Sequence, residues 1–314
     1  MAINKFMRLA LKVLSYPDID IRKTYPLERS IRYLRLPALL PKDRWQDHTI
    51  VSEGRKDSHQ NLYSRGQYRE KHTCCFSTEE DGVTESIDTY NKVCDALARA
   101  ARSRVISVEY RLAPEHPFPQ GLDDCYAAAR ELFVRPKSFG FDLGRVTVIG
   151  DSAGGNLAAA VSLRARDEGE FYIPRQILIY PATYYDHSES SPFASVMENG
   201  SEYLLTSRRI CEYIDLYKRD DEDLKNPYFA PLLAKDFSDQ PDTLIITAEF
   251  DPLRDEGEAY GRKLRAAGSR VTIYRMRDAL HGFMGLGTGY IHVRRAHALI
   301  NTFLNGGERD ESGR

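Results

Sequence analysis

Gly150-Asp151-Ser152-Ala153-Gly154-Gly155-Asn156 lies between a β-branched run, Val146-Thr147-Val148-Ile149, and a helix-forming run, Leu157-Ala158-Ala159-Ala160-Val161-Ser162-Leu163. A Gly-x-Ser-x-Gly turn between a strand and a helix forces its serine onto a sharp bend, because only glycine tolerates so close an approach of backbone on either side. Ser152 is therefore the candidate nucleophile. The same bend places the N–H of Ala153 at the open helix N-terminus, where negative charge developing on a substrate oxygen is stabilised. Ala153 is accordingly the candidate oxyanion donor.

Outward from this turn, helix-like and strand-like segments alternate with short breaks, the pattern of a mostly parallel sheet covered by helices on both faces. A helix is expected over about 88–101, then a strand over 105–109. A second helix near 123–133 leads into the strand at 146–149, and the helix after Ser152 leads to a strand at 176–180. Strands at 243–247 and 271–274 follow, with helices near 256–267 and 289–304. The continuous apolar runs in these strands suit a sheet buried on both sides.

The bulk numbers narrow the function. With 314 residues and 42% hydrophobic content, the chain can bury one large core. Lys+Arg at 44 against Asp+Glu at 46 leaves a net charge of -2, which offers no basic field for nucleic acid or anionic membrane. Cys74, Cys75, Cys94, Cys125 and Cys211 are odd in number and lack CxxC spacing. They read as ordinary thiols of a reducing, cytoplasmic compartment rather than a disulfide framework or zinc site. The N-terminal stretch Met1 to Tyr16 carries Lys5, Arg8 and Lys12 and has no signal-peptide pattern, while Phe6, Leu9, Ala10, Val13 and Leu14 recur at helical spacing. No run approaches the roughly 18 apolar residues that span a bilayer.

A serine nucleophile needs a histidine base and an acid to orient it. Asp251 directly follows the strand at 243–247, within Ala248-Glu249-Phe250-Asp251-Pro252-Leu253-Arg254-Asp255, with Asp255 and Glu256 as nearby rivals. His281 follows the next strand in Asp278-Ala279-Leu280-His281-Gly282-Phe283, a position that His116, His187 and His297 lack. The order Ser152, Asp251, His281, with each residue just after a strand, is the order of a catalytic triad on an open sheet.

Together with Glu109-Tyr110-Arg111-Leu112-Ala113-Pro114-Glu115-His116-Pro117-Phe118-Pro119, these motifs closely resemble the hormone-sensitive-lipase branch of the α/β-hydrolases. The resemblance runs from about Thr89 to Leu304. It implies an α/β-hydrolase fold and a serine carboxylesterase acting on short to medium acyl esters, with no metal or organic cofactor. By position, residues 1–45 and 186–224 match the family's two-part helical lid, leaving 46–185 and 225–305 as the core. Residues 306–314 are glycine-rich and charged and are expected to be disordered. The implied partner is a small-molecule ester, with homodimerisation left open.

One element of the family is absent. Where members carry a His-Gly-Gly-Gly segment supplying further oxyanion N–H groups, this chain has Phe76-Ser77-Thr78-Glu79-Glu80-Asp81-Gly82. Codons for Phe76 to Gly82 can be chosen so that, read two nucleotides later, they encode Phe-His-Gly-Gly-Gly-Trp. Codons from Asp57 to Arg65, read one nucleotide later, can encode a strand of the family type. About residues 57–82 therefore read as a frameshifted translation, with the frame restored at Val83. Gln60 to Lys71 lacks strand alternation, so one or two strands are expected to be lost or replaced by a poor substitute such as Thr73-Cys74-Cys75-Phe76, leaving a destabilised protein with weak or no esterase activity. The competing reading is a ligand-binding protein on the same fold, in the manner of the plant gibberellin receptor. Amide or lactone hydrolysis would share the esterase chemistry.

Overall fold

A computed structural model describes residues 20–34, 46–51, 59–65, 73–77, 87–136 and 143–306, together with Leu11 and Ser15. In chain order the elements are α1 (Ile21–Leu34), β1 (Gln46–Val51), β2 (His59–Arg65), β3 (Thr73–Ser77), α2 (Ile87–Ala101), β4 (Arg104–Val108) and α3 (Gln120–Val134). Then come β5 (Val146–Asp151), α4 (Ala153–Glu168), β6 (Arg175–Ile179), α5 (Ala194–Asn199) and α6 (Ser207–Tyr217). The chain closes with β7 (Asp242–Phe250), α7 (Arg254–Ala266), β8 (Val271–Leu280) and α8 (Ile291–Asn305).

The eight strands form one sheet in the order β1-β2-β4-β3-β5-β6-β7-β8. The pairs β1–β2 and β2–β4 are antiparallel, and every other pair is parallel. Period-2 alternation divides the apolar strand residues between two cores. Val148, Leu178 and Ile245 face α3, α4 and α7, whereas Ile149, Ile177, Leu244 and Ile246 face α2 and α8. Because both faces are covered, the strands read as unbroken apolar runs, and the elements expected from Thr89 onward lie within a few residues of where the sequence placed them, except that the strand expected at 271–274 continues six residues further, to Leu280.

Before residue 87 the outcome differs from expectation in one respect. His59–Arg65 is not lost from the sheet: β2 pairs with both β1 and β4, whereas Thr73–Ser77 forms the strand expected of the substitute Thr73-Cys74-Cys75-Phe76, with β3 in parallel register between β4 and β5 and Cys75 opposite Ile106 and Val148. Ladder hydrogen bonds come from the backbone, so a polar sequence without strand alternation can still pair when apolar strands flank it. The strand β1 was not singled out from the sequence at all. Residues 78–86, which hold most of the segment standing in for His-Gly-Gly-Gly, lie outside the described residues, as do 35–45 and 307–314.

The helices α1 and α6 pack together at the sheet's C-terminal side. The Ile21 N–H donates to Glu212 Oε2 at 3.0 Å, Arg22 pairs with Asp215 at 3.0 Å, and Arg209 reaches Glu28 at 3.5 Å. Thr206 caps α6 by accepting the Arg209 N–H at 3.1 Å. Among the described residues no helix is long and apolar enough to cross a membrane.

Ile245 is fully buried in the α7-facing core, and its Cδ1 would lie 2.8 Å from a Cβ placed on Gly261. Its truncation leaves a cavity in a site whose neighbours have little freedom to collapse. Ile245→Ala is expected to cost about 2–5 kcal/mol in urea unfolding; a cost below about 1 kcal/mol would show that this sheet face is not the tight layer described.

Candidate active site

β5 passes into α4 through a single residue. Ser152 adopts φ 53° and ψ -118°, a conformation that non-glycine residues avoid. The bend closes only because position 150 lacks a Cβ: one built there would lie 2.1 Å from the carbonyl oxygen of Gly154. The neighbouring β6 end clamps the turn, since the Ser152 N–H donates to the Ile179 carbonyl at 2.9 Å and the Ala182 N–H donates to the Ser152 carbonyl at 3.3 Å. Ala153 opens α4, so its N–H belongs to the first turn, whose amides have no acceptor within the helix.

The three sequence-predicted residues meet at this turn. Ser152 Oγ lies 2.8 Å from His281 Nε2, and His281 Nδ1 lies 2.8 Å from Asp251 Oδ2. Asp251 is fully buried immediately after β7, and its other oxygen, Oδ1, accepts the Leu253 N–H at 2.9 Å. His281 follows β8 directly, and Gly282 at φ 73° turns the chain away behind it. With a carboxylate on Nδ1, that nitrogen carries the proton, and Nε2 presents its lone pair to the serine hydroxyl.

Each rival has other work. Burial disfavours the Asp255 carboxylate, but bonds from Arg254 and the Ser195 N–H outweigh it and hold the group below the usual aspartate range. Glu256 accepts the Thr183 and Tyr184 N–H groups and binds His187 Nε2 at 2.6 Å. His116 lies near Gln120 at the surface, and His297 is buried on α8.

Several supporting residues were missed in the sequence. The Tyr180 ring lies 4.7 Å from the His281 ring, and its hydroxyl donates to Asp151 Oδ2 at 2.9 Å. Tyr90 donates to the same oxygen. Asn199 Nδ2 donates to the Asp251 carbonyl at 3.2 Å, and Asn156 Nδ2 bridges the Ala182 and Phe229 carbonyls at 2.9 Å each. Only Asn156, adjoining the serine motif, carried a local signal. Behind the turn, burial pushes the Cys94 thiol up to about 12, so it stays protonated and unreactive.

Ser152 and His281 open into a cavity of about 530 Å³. Its wall is mainly apolar, with Leu157, Leu204, Leu205, Ile210, Ile214 and Phe229, and α1 contributes Glu28. Burial pushes the Tyr184 phenol in this wall up to about 12, leaving it a neutral hydroxyl at ordinary pH. The arrangement can accept an apolar acyl compound beside an oriented hydroxyl and an imidazole base.

Comparison with known proteins gives the same picture. A family model described as alpha/beta hydrolase fold matches residues 82–285. Esterase LipI of Mycobacterium tuberculosis is 40% identical over 205 residues, covering 65% of this chain and 62% of its own length. The arylesterase of Saccharolobus solfataricus is 37% identical over 204 residues, 65% of each chain. The chain thus spans a little under two thirds of these two relatives. Carboxylesterase NlhH of Mycobacterium tuberculosis is 35% identical over 253 residues, 79% of this chain and 78% of its own. Among solved structures, the hyperthermophilic esterase of Pyrobaculum calidifontis superposes with a TM-score of 0.84 at 32% identity, covering 98% of this chain and 99% of that one. A strained serine at the strand-to-helix bend, strand ends that deliver an acid and a histidine to it, and a family match across more than half its length place the chain in the α/β hydrolase fold family.

Proposed function

We propose that the protein is a serine carboxylester hydrolase acting on short to medium acyl esters through an acyl-enzyme on Ser152. The observation that carries this reading is the unbroken relay Asp251–His281–Ser152 at the base of an apolar cavity. His281 Nε2 takes the Ser152 proton as Oγ attacks the ester carbonyl, then gives it to the departing alcohol. A water molecule, activated by the same nitrogen, releases the acid. Asp251 fixes the tautomer and stabilises the imidazolium that forms in each half-reaction. The esterase and carboxylesterase names of the relatives support the same reaction class.

Ala153 N–H supplies one oxyanion donor. In the family the others come from the glycine-rich segment, at whose place this chain has the sequence from Phe76 to Gly82. We infer that about residues 57–82 are a frameshifted segment. The family match supports this by beginning at residue 82, next to the point where the frame is restored. Loss of one such donor typically lowers the rate about 10²- to 10³-fold. This deficit is the specific observation favouring the second reading, a weak or inactive ligand-binding homologue. Retention of all three relay residues argues for the enzyme. Residues 1–45 and 186–224 are assigned as the lid, in keeping with the contributions of Glu28 and of α6 to the cavity wall.

Two assays test these assignments. In p-nitrophenyl butyrate hydrolysis, Ser152→Ala is expected to lower kcat/KM at least about 10³-fold with unchanged melting; residual activity near the parent level would remove Ser152 from the mechanism. Replacing residues 57–82 by the frame-restored segment is expected to raise kcat about 10²- to 10³-fold. Equal activity of the two chains would mean that another group completes the oxyanion hole and that the present segment is native.

A further inference from the structure

Tyr180 follows β6 directly and is fully buried. Its backbone lies at φ 35°, in the left-handed region that residues with a Cβ avoid, and its N–H donates to the Ile246 carbonyl of β7 at 2.6 Å. Strain of this kind persists where the surroundings over-determine it, and it gathers at working sites. The side chain is held as firmly as the backbone. Its ring lies 4.7 Å from the His281 ring, with 55° between the planes, and 5.2 Å from the Phe283 ring, edge to face. Its hydroxyl donates to Asp151 Oδ2 at 2.9 Å and accepts the Met284 N–H at 3.3 Å.

A hydroxyl has one proton to give, so these two bonds run in one direction, from Met284 through Tyr180 to Asp151. Asp151 immediately precedes Ser152, and Met284 lies three residues after His281. One buried oxygen therefore ties the loop that carries the base to the turn that carries the nucleophile. Tyr90 on α2 donates to the same Asp151 oxygen and keeps that anchor from turning. The relay has a use for such a tie, because the hydrogen bond to Asp251 fixes one atom of the His281 ring and not its tilt. After attack, Nε2 holds the proton taken from Ser152 and must give it to a different atom. The bond from the acyl carbon to the alcohol oxygen breaks, its electron pair goes to that oxygen, the oxygen takes the Nε2 proton, and the acyl group stays on Ser152 Oγ. A donor tilted away from the departing oxygen makes this transfer slow.

We propose that Tyr180 is a positioning residue whose hydroxyl, bridging Met284 and Asp151, holds the His281 imidazolium where it protonates the departing alcohol. The inference rests on the reading of the protein as a Ser152 esterase. It makes Tyr180 matter most for esters of alkyl alcohols, whose alkoxides leave only as they are protonated. Esters whose leaving group departs as a stable anion need the residue less.

The test uses two esters that share an acyl group, ethyl butyrate and p-nitrophenyl butyrate. The quantity read is the ethyl-to-p-nitrophenyl ratio of kcat/KM on one preparation, with the rate of Ser152→Ala subtracted. A loss of folded protein lowers both values equally and leaves the ratio unmoved. Tyr180→Phe keeps the ring against His281 and removes the bridge, and its ratio is expected to fall about tenfold, equivalent to about 1.4 kcal/mol. Tyr90→Phe takes the other donor from Asp151 while leaving the Tyr180 bridge in place, and its ratio is expected to stay within about twofold of the parent's. If Tyr180→Phe does not fold, Asp151→Asn takes its place: it weakens the bridge from the other end by exchanging a charged acceptor for a neutral one, with an expected fall of about threefold. An unchanged ratio in folded Tyr180→Phe, or in Asp151→Asn in its stead, overturns the proposal while leaving the esterase reading intact, as does an equal fall in Tyr90→Phe. Absence of Ser152-dependent hydrolysis of both esters by the parent protein overturns the esterase reading, and this inference with it.

Discussion

The left-handed backbone at Ser152 is the constraint on which the rest of the site depends. A residue held in that region costs about 1–3 kcal/mol and persists only where its surroundings over-determine it. Here the missing Cβ at Gly150 admits the Gly154 carbonyl, and two hydrogen bonds to the β6 edge hold the serine backbone from the other side. The strain has a return. It lifts Oγ out of the helix axis and toward His281 while leaving the first amides of α4 beside it.

Parallel pairing extends this local geometry to the other two residues. Because β5, β6, β7 and β8 run in one direction, the chain leaves each of them at the same sheet edge. Asp251 and His281, one residue beyond β7 and β8, arrive there without long loops to position them. Burial on both sheet faces makes that edge rigid. Asn199 and Tyr180, from segments distant in sequence, then steady the acid loop and pack against the imidazole.

What the sequence made legible follows from where the information is local. The turn at 150–156 states its own backbone requirement, and the apolar runs of β4 to β8 announce strands covered on both sides. The order of Ser152, Asp251 and His281 could be read because each adjoins such a strand. β1 and β2 were not legible: their residues are mostly polar, and their strand character comes from antiparallel pairing at one end of the sheet. The Tyr90 and Tyr180 contacts to Asp151 were equally hidden, since nothing in the spacing of 90, 151 and 180 brings them together before the sheet forms. Glu256 is a rival acid by sequence position alone; its contacts with Thr183, Tyr184 and His187, about 70 residues earlier in the chain, exist only in the folded protein.

The account turns on whether Ser152 is an activated nucleophile in the protein as it stands. Incubation with a fluorophosphonate, followed by intact-mass and peptide mass spectrometry, tests this directly, because the reagent phosphonylates a serine hydroxyl activated by its histidine and needs no ester of the right shape. The account predicts a single covalent adduct on the peptide containing Ser152, absent from Ser152→Ala. A folded protein that acquires no adduct there would contradict it and leave the fold serving a binding role.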